Sequence, residues 1–146
     1  MSNVISVFEG NTLLALILPS SYKAEGIQFF TPDTFSQQLG YMNRPKGYLI
    51  APHDHNPVSR TIQWTQEVLL IRSGKVRLDI YATETRKYLE SHVLCTGDVA
   101  LLAHGGHGLE ILEQAEIIEV KQGPYAGEAD KTRFTAVNAD MVCIRS

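Results

Sequence analysis

The chain has 146 residues, 44% of them hydrophobic and 20% charged, with a formal net charge of −3. That is enough for one domain with a real core and too few for two ordinary ones, and the composition excludes a disordered chain. Acids and bases are mixed along the sequence, so no basic run or face points to nucleic acid.

In chain order, residues 1–10 read as a frayed or edge segment. The run Leu13-Leu14-Ala15-Leu16-Ile17-Leu18 is apolar, but Glu9 precedes it, and the first basic residue is Lys23. It is far shorter than the ~20 residues of a spanning helix, so it reads as a buried strand over 12–18 rather than a signal peptide or membrane span. The expected compartment is the cytoplasm. Residues 26–30 form a short strand stopped by Thr31-Pro32-Asp33. Residues 34–42 fit either a helical face through Phe35, Leu39 and Met42 or an extended arm running into the turn at 43–47. Strands are predicted at 48–55 and 62–71, separated by a loop at 56–59 that contains Pro57. A turn at 72–75 leads to an alternating strand over 76–82, with Val76, Leu78 and Ile80 on one side. A hairpin turn over 83–86 precedes a strand at 87–94, and Thr96-Gly97-Asp98 is a further turn. Residues 99–102 form a short strand, broken by Gly105-Gly106. Strands at 108–112 and 117–120, with a turn at Glu113-Gln114, complete a core spanning about 12–122. Residues 123–146 read as a C-terminal surface segment with Phe134 as an anchor. Short strands between turn signals, without a sustained helix, describe a single all-β domain, a sandwich or barrel.

Cys95 and Cys143 have no close spacing and define neither a disulfide framework nor a zinc knuckle. The chemistry concentrates elsewhere. On a strand, residues two apart share a face, so His53 and His55 aim two imidazoles into one space. Glu67 shares parity with Leu69 and Ile71 and faces wherever they face. A carboxylate facing an apolar interior is costly without a partner, and a metal held by the histidines would be one. His107 follows two glycines and has the parity of Leu109 and Ile111. Three imidazoles and one carboxylate suit a divalent first-row metal such as Fe, Mn, Zn or Ni, with coordination positions left open. His104 is a rival for the third histidine; His107 is preferred because an alternating apolar strand follows it directly. His92 reads as plain surface.

Gln63 and Thr65 share the parity of Glu67 and are candidates to line a cavity. Arg60 and Lys121 are candidates to hold an anionic substrate. Trp64, Val68 and Leu70 have the opposite parity. The strand is therefore expected to be buried on both faces, its second face covered by the N-terminal arm or by a second subunit, and a homodimer is expected.

Two stretches carry a resemblance. Gly47, His53-Asp54-His55, Glu67 and Gly74 resemble the first motif of the cupin superfamily, and Gly97-Asp98 through Gly105 to His107 resemble the second. Eleven residues separate His55 from Glu67, more than the motif's usual three or four, so 56–66 is expected to form a longer loop or a lengthened strand pair. The resemblance implies a small jelly-roll β-barrel with little helix, binding one metal through His53, His55, Glu67 and His107. It further implies a small-molecule ligand rather than a nucleic acid or membrane. Within it, the expected chemistry is isomerase- or epimerase-type proton transfer on a sugar or sugar-phosphate, with Glu67 as the catalytic group. A non-catalytic binding module and an iron-dependent dioxygenase are the alternatives.

Overall fold

The computed structural model describes residues 3–146. Among them there is no α-helix, only two short 3-10 turns at Gly127–Asp130 and Ala139–Met141. Nine strands make up the fold: β1 Ile5–Glu9, β2 Thr12–Leu18, β3 Gly26–Phe29, β4 Gly40–Asn43, β5 Glu67–Tyr81, β6 Tyr88–Cys95, β7 Val99–Leu102, β8 Gly106–Lys121 and β9 Ile144–Arg145. β3 and β4 pair only with each other, and the other seven form one curled sheet, a half-barrel. No helix of the described residues is long and apolar enough to cross a membrane.

β5 is the axis of the sheet. β8 runs antiparallel along one edge of it, from Glu67 opposite Lys121 to Tyr81 opposite Gly106. The other edge is shared by β6, beside residues 75–81, and β7, beside residues 67–70. The turn between β6 and β7 is stitched to β5, with the Ile71 amide donating to the Asp98 carbonyl (3.0 Å) and the Gly97 amide to the Ile71 carbonyl (2.7 Å). The Asp98 carboxylate closes that turn by accepting from the amides of Cys95 and Ser20, both at 2.8 Å. β2 then pairs with β7, β1 with β2, and β9 with β6.

The turns expected at 72–75 and 113–114 are not chain reversals. They are the two sides of one bend in the β5–β8 ribbon, where the register shifts three times between Ile71 and Val76. β8 stays alongside throughout, so the ribbon folds over without either strand turning back. Gly74 sits at the bend with φ +85°, and a Cβ there would lie 2.0 Å from the Gln114 carbonyl oxygen. Only glycine meets both demands.

The inward faces of the bent ribbon bury Leu69, Ile71, Val76, Leu78 and Ile80 together with Leu14 and Ile17 of β2, Leu94 of β6 and Ala100 and Leu102 of β7. The alternation expected at 76–82 is the observed one. β2 is buried on both faces, as its unbroken apolar run implies. On its second face Leu13 and Leu16 join Leu101, with Phe30, Phe35, Leu39 and Val68 packed against them. Val68 thus shares this second cluster with residues 30–39 and with Val4 of the same chain. Residues 34–39 are neither helix nor strand, and Gly40–Asn43 is the strand that pairs with β3.

Three further expectations change. Residues 48–55 form no strand: every residue from 43 to 65 is exposed, and none of them from 44 onward enters a ladder. No strand edge of the same chain lies beside them to share hydrogen bonds, and Pro45, Pro52 and Pro57 each lack a donor. The strand expected from residue 62 begins only at Glu67, because the residues before it lean on the C-terminal segment. There the Thr65 hydroxyl donates to Asp130 (2.6 Å), and the Gln66 amide donates to the Gln122 side chain (2.7 Å). His92 is buried rather than surface, 2.6 Å from the Glu90 carboxylate. The C-terminal segment is anchored as expected: the Phe134 ring meets Tyr81 edge to face at 5.0 Å and lies against Gly106.

Candidate functional site

Glu67 opens β5 and pairs across the ladder with Lys121, whereas His107 pairs with Ile80, thirteen positions further along β5. Yet the Nε2 atom of His107 lies 3.8 Å from Oε1 of Glu67. The bend at Gly74 makes this meeting possible, because it folds the two ends of the ribbon onto each other. Inward parity then aims both side chains into the same space. They line a cleft of about 690 Å³ bounded by β5, β8 and the segment 130–136, with Leu69, Ile117 and Phe134 as apolar walls and Lys131 and Arg133 at the rim.

Glu119, two positions before Lys121 on β8, completes the group. Burial of Glu67, whose side chain is only 13% exposed, raises its pKa to about 7. A hydrogen bond with the Glu119 carboxyl and the like charge of that group add to the rise, while Lys121 and Lys131 oppose it. Glu119 moves the other way, below the usual carboxylate range, because it accepts that hydrogen bond and faces the same two lysines. The two carboxyls therefore hold one proton between them, mainly on Glu67. Burial lowers the pKa of His107; Glu119 works against that shift and Lys131 reinforces it. At neutral pH the cleft floor thus carries a neutral imidazole beside a carboxyl poised to gain or lose its proton. Lys131 acts on all three groups.

The other anticipated residues are placed as follows. Thr65 lines the cleft, and Lys121 flanks it with its Nζ 3.7 Å from Glu119. Gln63 belongs to a neighbouring pocket with Trp64, Lys121 and Tyr125. Arg60 is exposed on the 43–65 stretch. His104 is edge to face with both Phe35 (5.9 Å) and Trp64 (5.8 Å), packed as an aromatic. His53 and His55 do lie together, their rings 5.4 Å apart, on the exposed stretch, and His53 Nδ1 is 2.8 Å from the Ala51 carbonyl oxygen.

So the structure yields two pairs, His53 with His55 and Glu67 with His107, and a single chain does not merge them. Among the described residues no three His, Cys, Asp or Glu side chains converge on one point where a metal could sit. One chain alone therefore does not supply the donor set that the resemblance implies. Glu119 and Lys131 were not anticipated in the cleft. Glu119 had a legible signal, a second carboxylate sharing the inward parity of Ile117 and Lys121; Lys131 had none, since only the fold-back of the C-terminal segment brings it there.

These features define an all-β domain whose half-barrel holds Glu67, Glu119 and His107 together in an open cleft. In comparison with known proteins, no family model matches the chain, and neither a curated protein nor a solved structure matches it.

Proposed function

We propose that this is a cupin-type jelly-roll domain whose cleft binds a small polar metabolite, a sugar or sugar-phosphate, and moves a proton on it in an isomerase- or epimerase-type reaction. The observation that carries this reading is the Glu67–His107 pair, 3.8 Å apart on the floor of a 690 Å³ cleft. The volume suits a small metabolite. Lys131 and Lys121 supply positive charge for a phosphate or a developing enediolate without filling the cleft.

The chemistry follows from the groups themselves. Ionised Glu67 accepts a proton from a carbon next to a carbonyl, and its pKa near 7 keeps both protonation forms populated at neutral pH. Neutral His107 donates a hydrogen bond to the carbonyl oxygen as charge builds there, and Lys131 stabilises that charge. Protonated Glu67 then returns the proton to the former carbonyl carbon on the same face, while the hydroxyl proton passes through His107 to the former carbonyl oxygen. For epimerisation, water in the open cleft protonates the opposite face of the first carbon, and the hydroxide left behind takes the proton from Glu67. The substrate's composition does not change and no electrons are exchanged.

The test is a panel of sugar phosphates incubated with the protein in D2O and followed by proton NMR. Wash-in of deuterium at the carbon beside the carbonyl, abolished in Glu67→Gln, is expected. Binding without wash-in by any member would reduce the site to a binding module, and no binding would remove the reading.

A further inference from the structure

Trp64 is the chain's only tryptophan, and it is 64% exposed. Parity does not carry it to the outer face of the sheet, because β5 begins only at Glu67. The indole is nevertheless held in place. It meets His104 edge to face at 5.8 Å, and His104 meets Phe35 edge to face at 5.9 Å. Phe35 in turn packs on the buried cluster around Leu101. The two residues after Trp64 are pinned by their bonds to Asp130 and Gln122. An exposed ring fixed at the end of such a stack is a preformed platform on which a ligand can lie.

Trp64 lines a cavity of about 570 Å³. Leu102 and His104 give it apolar walls, and Thr12, Thr83 and Glu84 form its polar side. Thr65, Gly105 and His107 line both this cavity and the cleft, so the two adjoin at the imidazole. Their charges differ. Lys131 and Arg133 stand at the cleft, whereas among the described residues no lysine or arginine lines the second cavity. An anionic group there would meet Glu84 with no cation to balance it. The polar side is set to accept hydrogen bonds. The Thr83 hydroxyl gives its proton to Glu9 at 2.8 Å and the Thr65 hydroxyl to Asp130 at 2.6 Å, which leaves lone pairs of both oxygens for a ligand. The Glu84 carboxylate adds two acceptor oxygens. A ligand that suits this space is uncharged, presents hydroxyl donors along its edge and lays a C–H face on the indole. A pyranose ring does all three.

We infer that this cavity is a second sugar subsite, so that the ligand is a disaccharide: its carbonyl-bearing unit lies in the cleft against Glu67 and His107, and an uncharged second ring stacks on Trp64. The inference rests on the sugar reading of the cleft and adds the size of the ligand to it. The linkage between the two units passes His107, which faces both spaces. The second ring takes no part in the reaction, and its binding energy serves to hold the first unit against Glu67.

Trp64 fluorescence and calorimetry test the subsite, with lactose, cellobiose and maltose each compared with glucose, the unit at their reducing ends. A saturating blue shift of the emission is expected with at least one disaccharide, at an affinity about tenfold or more above that for glucose. In Trp64→Ala that ratio should fall to about one, and in Trp64→Phe it should largely return. The circular dichroism spectrum of Trp64→Ala should be unchanged, since the side chain is mostly exposed. Glu84→Ala, at an exposed position outside the aromatic stack, removes two acceptors and should also lower the ratio. A wild-type ratio near one, or a raised ratio that survives either change, overturns the subsite. Deuterium wash-in on the sugar phosphates bears on Glu67 alone. Its absence with the ratio intact removes the reaction and leaves the subsite standing; its presence with a ratio near one removes the subsite and leaves the reaction.

Discussion

Replacing Glu67 with glutamine should remove a pH dependence of stability that the cleft builds into the fold. The folded-state pKa of Glu67, about 7, lies above its ordinary 4.5. A carboxyl raised in this way binds its proton more tightly when folded. Its stabilising contribution is complete below pH 4.5 and is lost as pH rises through 7. The full span at about 1.4 kcal/mol per pH unit is roughly 3 kcal/mol, of which roughly 2 to 3 kcal/mol falls between pH 5 and pH 8. Little discount for solvent is needed, because the Glu67 side chain is 13% exposed. Glu119, depressed instead, contributes stability above its unfolded pKa that is lost as pH falls through its folded value. The two effects are separated in pH, and Glu119 leaves the window above pH 5 to Glu67. Glutamine keeps a donor for Glu119 and has no proton to lose. Urea denaturation of the metal-free protein at pH 5, 6, 7 and 8 measures the difference. Wild-type stability should fall across the series by roughly 2 to 3 kcal/mol more than that of Glu67→Gln, leaving the variant the more stable protein at pH 8. Parallel curves would refute the assignment of a buried, protonated Glu67.

Further perturbations follow from the same structure. Gly74→Ala forces a Cβ to 2.0 Å from the Gln114 carbonyl oxygen at a φ of +85°; a loss of about 3 kcal/mol or more in urea denaturation is expected, and a loss below 1 kcal/mol would show that the bend tolerates a side chain. Asp79 is buried, accepts two bonds from Arg77 at 2.8 and 3.0 Å and takes a third from the Ser91 hydroxyl at 2.5 Å. Arg77→Met strands that carboxylate and should cost about 3 kcal/mol, whereas an unchanged denaturation midpoint would mean that Ser91 alone satisfies it. Lys131→Met withdraws a positive charge that holds down the pKa of both Glu67 and His107. NMR titration should show both moving to higher pH in the variant, and unmoved midpoints would place Lys131 outside the cleft's field.

How far the sequence foretold this arrangement depends on how local each signal was. The run at 13–18, the alternation through Val76, Leu78 and Ile80 and the turn at 96–98 are short-range patterns, and each element formed where its pattern lay. Glu67 was placed with Leu69 and Ile71 by parity alone, and His107 was preferred over His104 by the strand that follows it; the two meet at 3.8 Å. The bend is not distinguishable from a turn in the sequence, because a glycine in the left-handed region looks the same whether the chain reverses or only kinks. What decides is the neighbouring β8, some forty residues away. The stretch 48–55 looks like a strand because it has the composition of one, but a strand also needs a partner beside it, and among the described residues none pairs with this stretch. Lys131 and Glu119 enter the site through long-range folding, the one by return of the C-terminal segment and the other by the curl of β8.

The most direct measurement on the cleft is a two-dimensional NMR map of the labelled protein as a small sugar phosphate is added. The account predicts that resonances of His107, Lys131 and the residues around Glu67 shift together and saturate with one affinity, and that the Lys131→Met variant weakens that binding. Shifts confined to other surfaces, or a cleft that stays silent across the whole panel, would contradict it.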